Sequence, residues 1–417
     1  MSTATDHGSF QSIDEVAVTR LALFDRHAKV FGYELRLANH FPSGSGPTKD
    51  GQRSLATHVA RVAERTGLHQ FTGSRPAFLL IDEEFLRTGE YKLLPPGQTY
   101  LAFASTSVST FDAEIESLNA IFHNARRDGY RIGLDGVTEN TFGPGKLPKV
   151  DFVTMVGGHD NADGSQALAE AARQAGVLAC ARLVRSAGQF TRLQGHFDLF
   201  QGFFYQRKIG ESAAGISTGR IATLQLLSEC ANPDATLEMF EAIIGRDPAL
   251  TFRVMQLANS GFVGLSRKLS SLREALITVG VSNIRNLALI ASLNRLEDSQ
   301  QELLVNSLVR AKMCERLARS SGLVPSTAFT AGLLSMLDAF LGLTLREATE
   351  VASLSEELCS AIVSYEGPLG RLVATAIAYE QAEYVNPPTT ALTSNDVSNA
   401  YLAALSWVQD FSFTNPG

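Results

Sequence analysis

The chain has 417 residues, enough for two ordinary domains with a core each, and its 45% hydrophobic and 19% charged residues make a globular composition. A formal net charge of −7 with no long basic stretch disfavours nucleic acid as a partner. No apolar run approaches the roughly 18 residues that span a bilayer, so membrane insertion is not expected.

The opening MSTATDHGSFQSIDE is polar and acidic, without a basic stretch or an apolar run, and predicts no secretory leader. The first half then alternates short apolar runs with helical patterns. Strands are predicted at Val16–Phe24, Val30–Leu37, Ala77–Ile81, Thr99–Ala104, Arg131–Leu134, Phe152–Val156 and Val177–Ala181. Helices are predicted between them, among them Gln52–Thr66, Phe111–Asp128 and Gly164–Gln174. Strand and helix recurring in this way predict an α/β fold with a parallel sheet, open or closed into a barrel.

The small, polar stretch QRKIGESAAGISTGR reads as a connection, and beyond it the strand signal disappears. In DPALTFRVMQLANSG the apolar residues Leu250, Val254 and Leu257 repeat at helical spacing after an Asp-Pro start. Ser271–Val279, Ser282–Leu293, Glu302–Arg319 and Thr330–Leu341 continue the pattern, so the second half is predicted to be all-helical. Trp407, in the amphipathic tail helix YLAALSWVQDF, reads as a core residue.

Neither GSGP (Gly44–Pro47) nor FGPGKLP (Phe142–Pro148) has the spacing of a phosphate-cradling loop, and both read as plain loops. Cys180, Cys230, Cys314 and Cys359 lie too far apart for a zinc site and predict reduced thiols in a cytoplasmic protein. All eight histidines, His7 to His196, fall in the first half.

Several segments of the first half, in order, resemble the EAL-domain cyclic di-GMP phosphodiesterases: TRLALFD and VFGYELRLA, then GYRIGLDG, KVDFVTM and FDLFQGFFYQRK. The resemblance covers residues 1–208 and implies a TIM-type barrel with any site at the C-terminal ends of its strands. It also implies a ring of carboxylates that holds two divalent cations and activates water, assisted by a lysine. Matched residue by residue, Glu34 takes the motif glutamate, Asp135 the first of an aspartate pair and Gln201 a late glutamine. The other positions depart from the family: Leu21 for a glutamine, Ala38 for an arginine and Leu80 for an asparagine. Ala102 or Phe103 stands for a glutamate, Gly136 for the second aspartate and Thr154 for the lysine. In ACARLVRS, Arg182 and Arg185 stand where the family has glutamates. A guanidinium about 5 Å from a divalent ion costs on the order of 6 kcal/mol at an effective dielectric of about 20. The expectation is therefore a vestigial site of Glu34, Asp135, Gln201, Arg182 and Arg185, with no catalytic metal, and Glu34 and Asp135 paired with Arg182 or Arg185.

The second half is similar to the HDOD domain, a non-catalytic relative of the HD phosphohydrolases, over residues 212–417. The segments that carry the likeness are DPALTFRVMQLANSGFVGL, SSLREALITVGVSNIRNLALIASL, AFTAGLLSMLDAFLG and SAIVSYEGPLGRLVATAIAYE. Where an HD hydrolase has its adjacent His-Asp pair, this chain has Ser335 and Met336, and the half contains no histidine from which to rebuild a metal site. Asp338 reads as a solvated or capping acid.

The architecture expected is thus an EAL-like α/β barrel followed by an HDOD-like all-α domain. The function expected is that of a non-enzymatic cytoplasmic regulator linked to cyclic di-GMP pathways and acting on protein partners, without a cofactor. The alternative is a receptor that binds cyclic di-GMP without cutting it, with Arg182 and Arg185 on its phosphates. Since EAL relatives self-associate through the barrel, the resemblance also implies a homodimer.

Overall fold

The computed structural model describes residues 18–38, 49–105, 112–138, 149–156, 162–206, 236–260, 263, 265, 267–294, 301–382 and 392–409. Gly44–Pro47, Phe142–Pro148, Cys230 and nearly all of the connecting stretch lie outside them.

Eight strands close into a barrel in sequence order: β1 (Val18–Asp25), β2 (Val30–Leu37), β3 (Ala77–Ile81), β4 (Thr99–Ala104), β5 (Arg131–Asp135), β6 (Phe152–Val156), β7 (Leu178–Arg182) and β8 (Leu199–Gln201). β1 runs antiparallel to both neighbours, β2 and β8, and every other pair is parallel. The seven strands expected from apolar runs are present within a residue of their ends, Val16 and Ala17 of the first lying outside the described residues. β8 is the addition: three residues pair with β7 and β1, and so short a run carries no alternation to read.

The barrel is filled. Leu23, Phe78, Ala102, Phe152, Cys180 and Leu199 form an interior cluster. The Phe78 ring lies 4.5 Å from Tyr100 and meets Phe152 edge-on at 5.3 Å. Gly133 makes room for this, since a Cβ there would sit 2.5 Å from the Phe152 ring. Side chains, not solvent, occupy the centre, as in other small barrels.

The second half is helical throughout its described residues. Its starts are capped as the composition suggests: Asp247 accepts from the Ala249 and Leu250 amides ahead of Pro248, and Ser271 accepts from Glu274. The predicted Thr330–Leu341 helix is corrected in two ways. It begins earlier, at Pro325, and it breaks at Ser335–Met336 into Pro325–Leu334 and Leu337–Leu341. Gln301–Ser320 is the central helix, packing against Pro325–Leu334, Gly367–Glu380 and Ser394–Gln409. Gly332 lets one of these approach closely, because a Cβ there would lie 2.7 Å from Ala311 Cα. Trp407 is half-buried in this packing, edge-on to Phe329 at 6.0 Å with the Lys312 ammonium 4.8 Å from its ring centre.

The two halves share one continuous apolar cluster. The outer face of β1 and β2 carries Val18 and Tyr33, both buried, and the helical half covers it. Tyr379 donates to the Val18 carbonyl at 3.2 Å, the Arg20 amide donates to the Tyr401 hydroxyl at 3.2 Å, and the Tyr33 hydroxyl donates to Glu302 Oε2 at 2.9 Å. Asn306 donates to the Tyr205 hydroxyl at 2.5 Å.

Burial pushes the Glu302 carboxyl up, against the pull of Arg20 and the Tyr33 hydrogen bond. Tyr33→Phe removes that bond and strands a buried acceptor, so it is expected to cost about 1–3 kcal/mol. Urea denaturation followed by tryptophan fluorescence reads this, and an unchanged midpoint would mean that the bond does not hold the domains together.

Candidate functional site

The C-terminal ends of the parallel strands form one rim of the barrel, and four of the five residues singled out in the sequence meet there. Glu34 projects from β2, Asp135 ends β5, Arg182 ends β7 and Gln201 ends β8. The Arg182 guanidinium bridges the two acids: Nη1 donates to Asp135 Oδ1, and Nη2 lies 3.4 Å from Glu34 Oε1. Arg185 stands outside this ring. It is exposed, and its backbone amide donates to Gln189 at 2.7 Å, so of the two arginines expected to pair with the acids only Arg182 does so.

Arg36, which was not singled out, completes the arrangement. Its Nε donates to Glu34 Oε1 at 2.7 Å. The signal was available in the strand text Glu34-Leu35-Arg36, because residues two apart on a strand share a face. The rim thus sets two guanidinium groups against two carboxylates. All are less than one-third exposed, and Glu34, Asp135 and Arg182 are each below one-fifth.

The positions that depart from the EAL pattern are also in place. Leu21 lies opposite Glu34 across the β1–β2 ladder. Thr154 donates through its hydroxyl to Asp135 Oδ1 at 2.5 Å and accepts from the Gly136 amide at 3.1 Å. Ala102 lines the interior beside Leu80, whereas Phe103 packs into the outer core, so Ala102 is the residue that faces the site. Gln201 Oε1 accepts from the Leu183 amide at 3.4 Å. Gly202, at φ +150°, is obligatory because a Cβ there would lie 2.1 Å from the Val184 carbonyl oxygen.

Burial and the facing Glu34 push the Asp135 carboxyl up to about 6, against the pull of the Thr154 hydroxyl and Arg36. The space enclosed by Glu34, Thr154, Arg182, Gln201 and their apolar neighbours is about 20 Å³, room for roughly one water. The residues present do not fit the divalent cations of the EAL pattern. Arg182 already contacts one oxygen of each acid, Asp135 Oδ1 and Glu34 Oε1, and among the described residues no cluster of three or more His, Cys, Asp or Glu side chains could hold a metal ion.

The helical half has the same motif at its own candidate position. The Ser335 hydroxyl accepts from Arg310 Nη1 at 2.9 Å and donates to the Gly332 carbonyl at 2.8 Å. Arg310 grips Glu380 Oε2 through Nε at 3.0 Å and Nη2 at 2.7 Å. Met336 is buried beside them in the chain, and Asp338 lies in the first turn of the short helix that follows. Neither Arg310 nor Glu380 was anticipated, since nothing in an amphipathic helix marks which charged residue points inward.

Comparison with known proteins bears on both halves. Residues 221–361 match the HDOD domain family. The chain is 22% identical over 410 residues to the uncharacterized protein YuxH of Bacillus subtilis, covering 94% of this chain and 98% of that one. It is 26% identical over 223 residues to the cyclic di-GMP phosphodiesterase CdgJ of Vibrio cholerae, a match that covers 52% of each protein. Similar solved structures include the EAL domain of Xanthomonas citri FimX in complex with cyclic di-GMP. That match has TM-score 0.35 and 15% identity and covers 46% of this chain and 87% of that one. An HDOD domain protein from Geobacter sulfurreducens matches with TM-score 0.33 and 19% identity, covering 47% of this chain and 89% of that one. The chain therefore carries an HDOD domain at residues 221–361, preceded by a closed eight-stranded barrel.

Proposed function

We propose that the chain is a non-catalytic regulator in cyclic di-GMP signalling that works by holding protein partners. The observation that carries this reading is Arg182, whose guanidinium occupies the space between Asp135 and Glu34 where hydrolysis would need cations. The link to cyclic di-GMP rests on the likeness to CdgJ together with the EAL-like segments of the barrel. A protein partner is supported by Met239, Phe252 and Ile277, which are exposed on three helices that pack against one another. Among the described residues no helix is long and apolar enough to cross a membrane, which accords with a place in the cytoplasm. The receptor alternative would need Arg182 for phosphate, and Arg182 is already committed to two carboxylates.

Incubated with cyclic di-GMP and either magnesium or manganese, the full chain is expected to release no linear dinucleotide or GMP above a buffer control. Glu34→Gln is expected to change nothing. Turnover that disappears in Glu34→Gln would refute the proposal. Calorimetric titration with cyclic di-GMP is expected to give no saturable heat, and one-site binding in the micromolar range would move the function to the receptor reading.

The ion pair makes a separate prediction. Because the folded-state pKa of Asp135 is raised to about 6, the folded chain holds this proton more tightly than the unfolded one. Its effect is that stability falls as pH rises from about 4 to about 6. Arg182→Met removes the cation shared by two buried acids and is expected to cost about 3–5 kcal/mol above pH 7. Near pH 5 the loss is expected to be smaller, since Asp135 then carries a proton. Denaturation at pH 5 and pH 8 decides the point, and equal losses would show that Arg182 does not hold two charges.

A further inference from the structure

The other end of the barrel carries a second constellation. Strand direction places the β1–β2 hairpin and the turn before β3 there, away from the Asp135 rim. Between these turns and the helical half lies a cleft of about 820 Å³, within the range of small-molecule sites. Arg20, His27, Lys29 and Arg75 line its barrel side, and Glu302 lines its helical side. In a chain of net charge −7, this cleft sets three permanent cations against one carboxylate.

None of the three permanent cations is held by a carboxylate on its charged group: backbone carbonyls hold the two guanidinium groups, and Asp25 contacts only the backbone of the hairpin. Asp25 accepts from the His27 and Lys29 amides at 2.8 and 2.9 Å, which fixes the hairpin that carries both side chains. Arg75 Nη1 donates to the Val30 carbonyl. Arg20 Nη1 donates to the Phe71 carbonyl at 2.5 Å, and its guanidinium lies 4.2 Å over the Tyr33 ring. These contacts orient each guanidinium while using one of its five N–H groups. Among the described residues the Lys29 ammonium and the His27 ring have no hydrogen-bond or ion-pair partner. Glu302 is the acid that could neutralise the cleft, and it is already bonded to Tyr33.

Positive groups fixed in a concave site, with donors to spare and too little negative charge to balance them, form a receptor for an anion. We infer that this cleft between barrel and helical domain binds a small molecule carrying a pyrophosphate or terminal phosphate group, whose charge is concentrated where the singly charged diesters of cyclic di-GMP spread theirs. The guanidinium groups of Arg20 and Arg75 offer paired donors to phosphate oxygens, and Lys29 supplies a point charge at the rim. The site lies at the opposite end of the barrel from Arg182 and does not depend on whether the other rim is catalytic.

The test is equilibrium dialysis of the full chain against radiolabelled inorganic pyrophosphate at constant ionic strength. Saturable binding of one pyrophosphate per chain is expected. The double variant Lys29→Gln, Arg75→Gln is expected to weaken it at least tenfold, while Arg185→Gln, on the opposite rim, leaves it unchanged. Lys29→Gln alone, at an exposed hairpin position, is expected to weaken it at least threefold and serves if the double variant does not fold. Absence of saturable binding would overturn the inference. So would binding that survives the Lys29 and Arg75 changes, or that falls equally with Arg185→Gln.

Discussion

A closed barrel needs an apolar layer outside every strand, and for β1 and β2 the barrel half supplies only part of it, through Lys49–Thr66 and Leu68–Thr72 on β2 and Phe204 and Tyr205 on Phe24. The parallel strands are joined by chain that returns over the outside of the barrel, but β1 and β2 are joined by a hairpin, which covers nothing. Val18 and Tyr33 would otherwise face water on that side. The helical half supplies the missing layer, with Tyr379 and Tyr401 packed ring to ring at 4.8 Å against the edge of β1. This makes the domain arrangement a consequence of barrel topology more than of any affinity between two finished modules. Many of the polar atoms at the seam are tyrosine hydroxyls and backbone groups, joined by Thr19, Glu302 and Asn306, which suits a surface that must be buried yet still has strand hydrogen bonds to satisfy.

Both candidate centres resolve the same electrostatic difficulty in the same way. A buried carboxylate without a cation is costly, and in a metal-dependent enzyme the metal removes that cost. Here an arginine does so: Arg182 for Asp135 and Glu34 in the barrel, and Arg310 for Glu380 in the helical half. A guanidinium neutralises charge and satisfies lone pairs, but it cannot polarise a water as a divalent ion does. In each half an arginine and the acids it holds tie together elements that are distant in the chain.

What the sequence revealed, and what it concealed, follows from how local each signal is. Seven strands and the long helices were legible because apolar periodicity is written within each segment. β8 was not, because Leu199–Gln201 is too short to show a period and is a strand only through its two neighbours. The break at Ser335–Met336 was hidden inside an uninterrupted apolar pattern that continues on both sides of it. Glu34, Asp135 and Arg182 could be found because each sits in an ordered series of motifs. Arg36 was passed over although it lies two residues from Glu34, and Arg310 and Glu380 meet across 70 residues of chain, a pairing no local pattern encodes.

The same seam joins the helical centre to the barrel through a short run of contacts. Glu380 holds Arg310 with its side chain, and its backbone carbonyl accepts from Thr19 on β1 at 3.4 Å. The next residue, Arg20, gives its amide to Tyr401 and lays its guanidinium over Tyr33, whose hydroxyl reaches Glu302 on the central helix. Each link is a hydrogen bond or stacked pair between buried or half-buried groups, so displacing one strands a partner away from water. A change in the tilt of the helical half against β1 would therefore break several of these bonds together. Intermediate tilts would leave polar groups unpaired, which favours a small number of discrete arrangements over a continuous range.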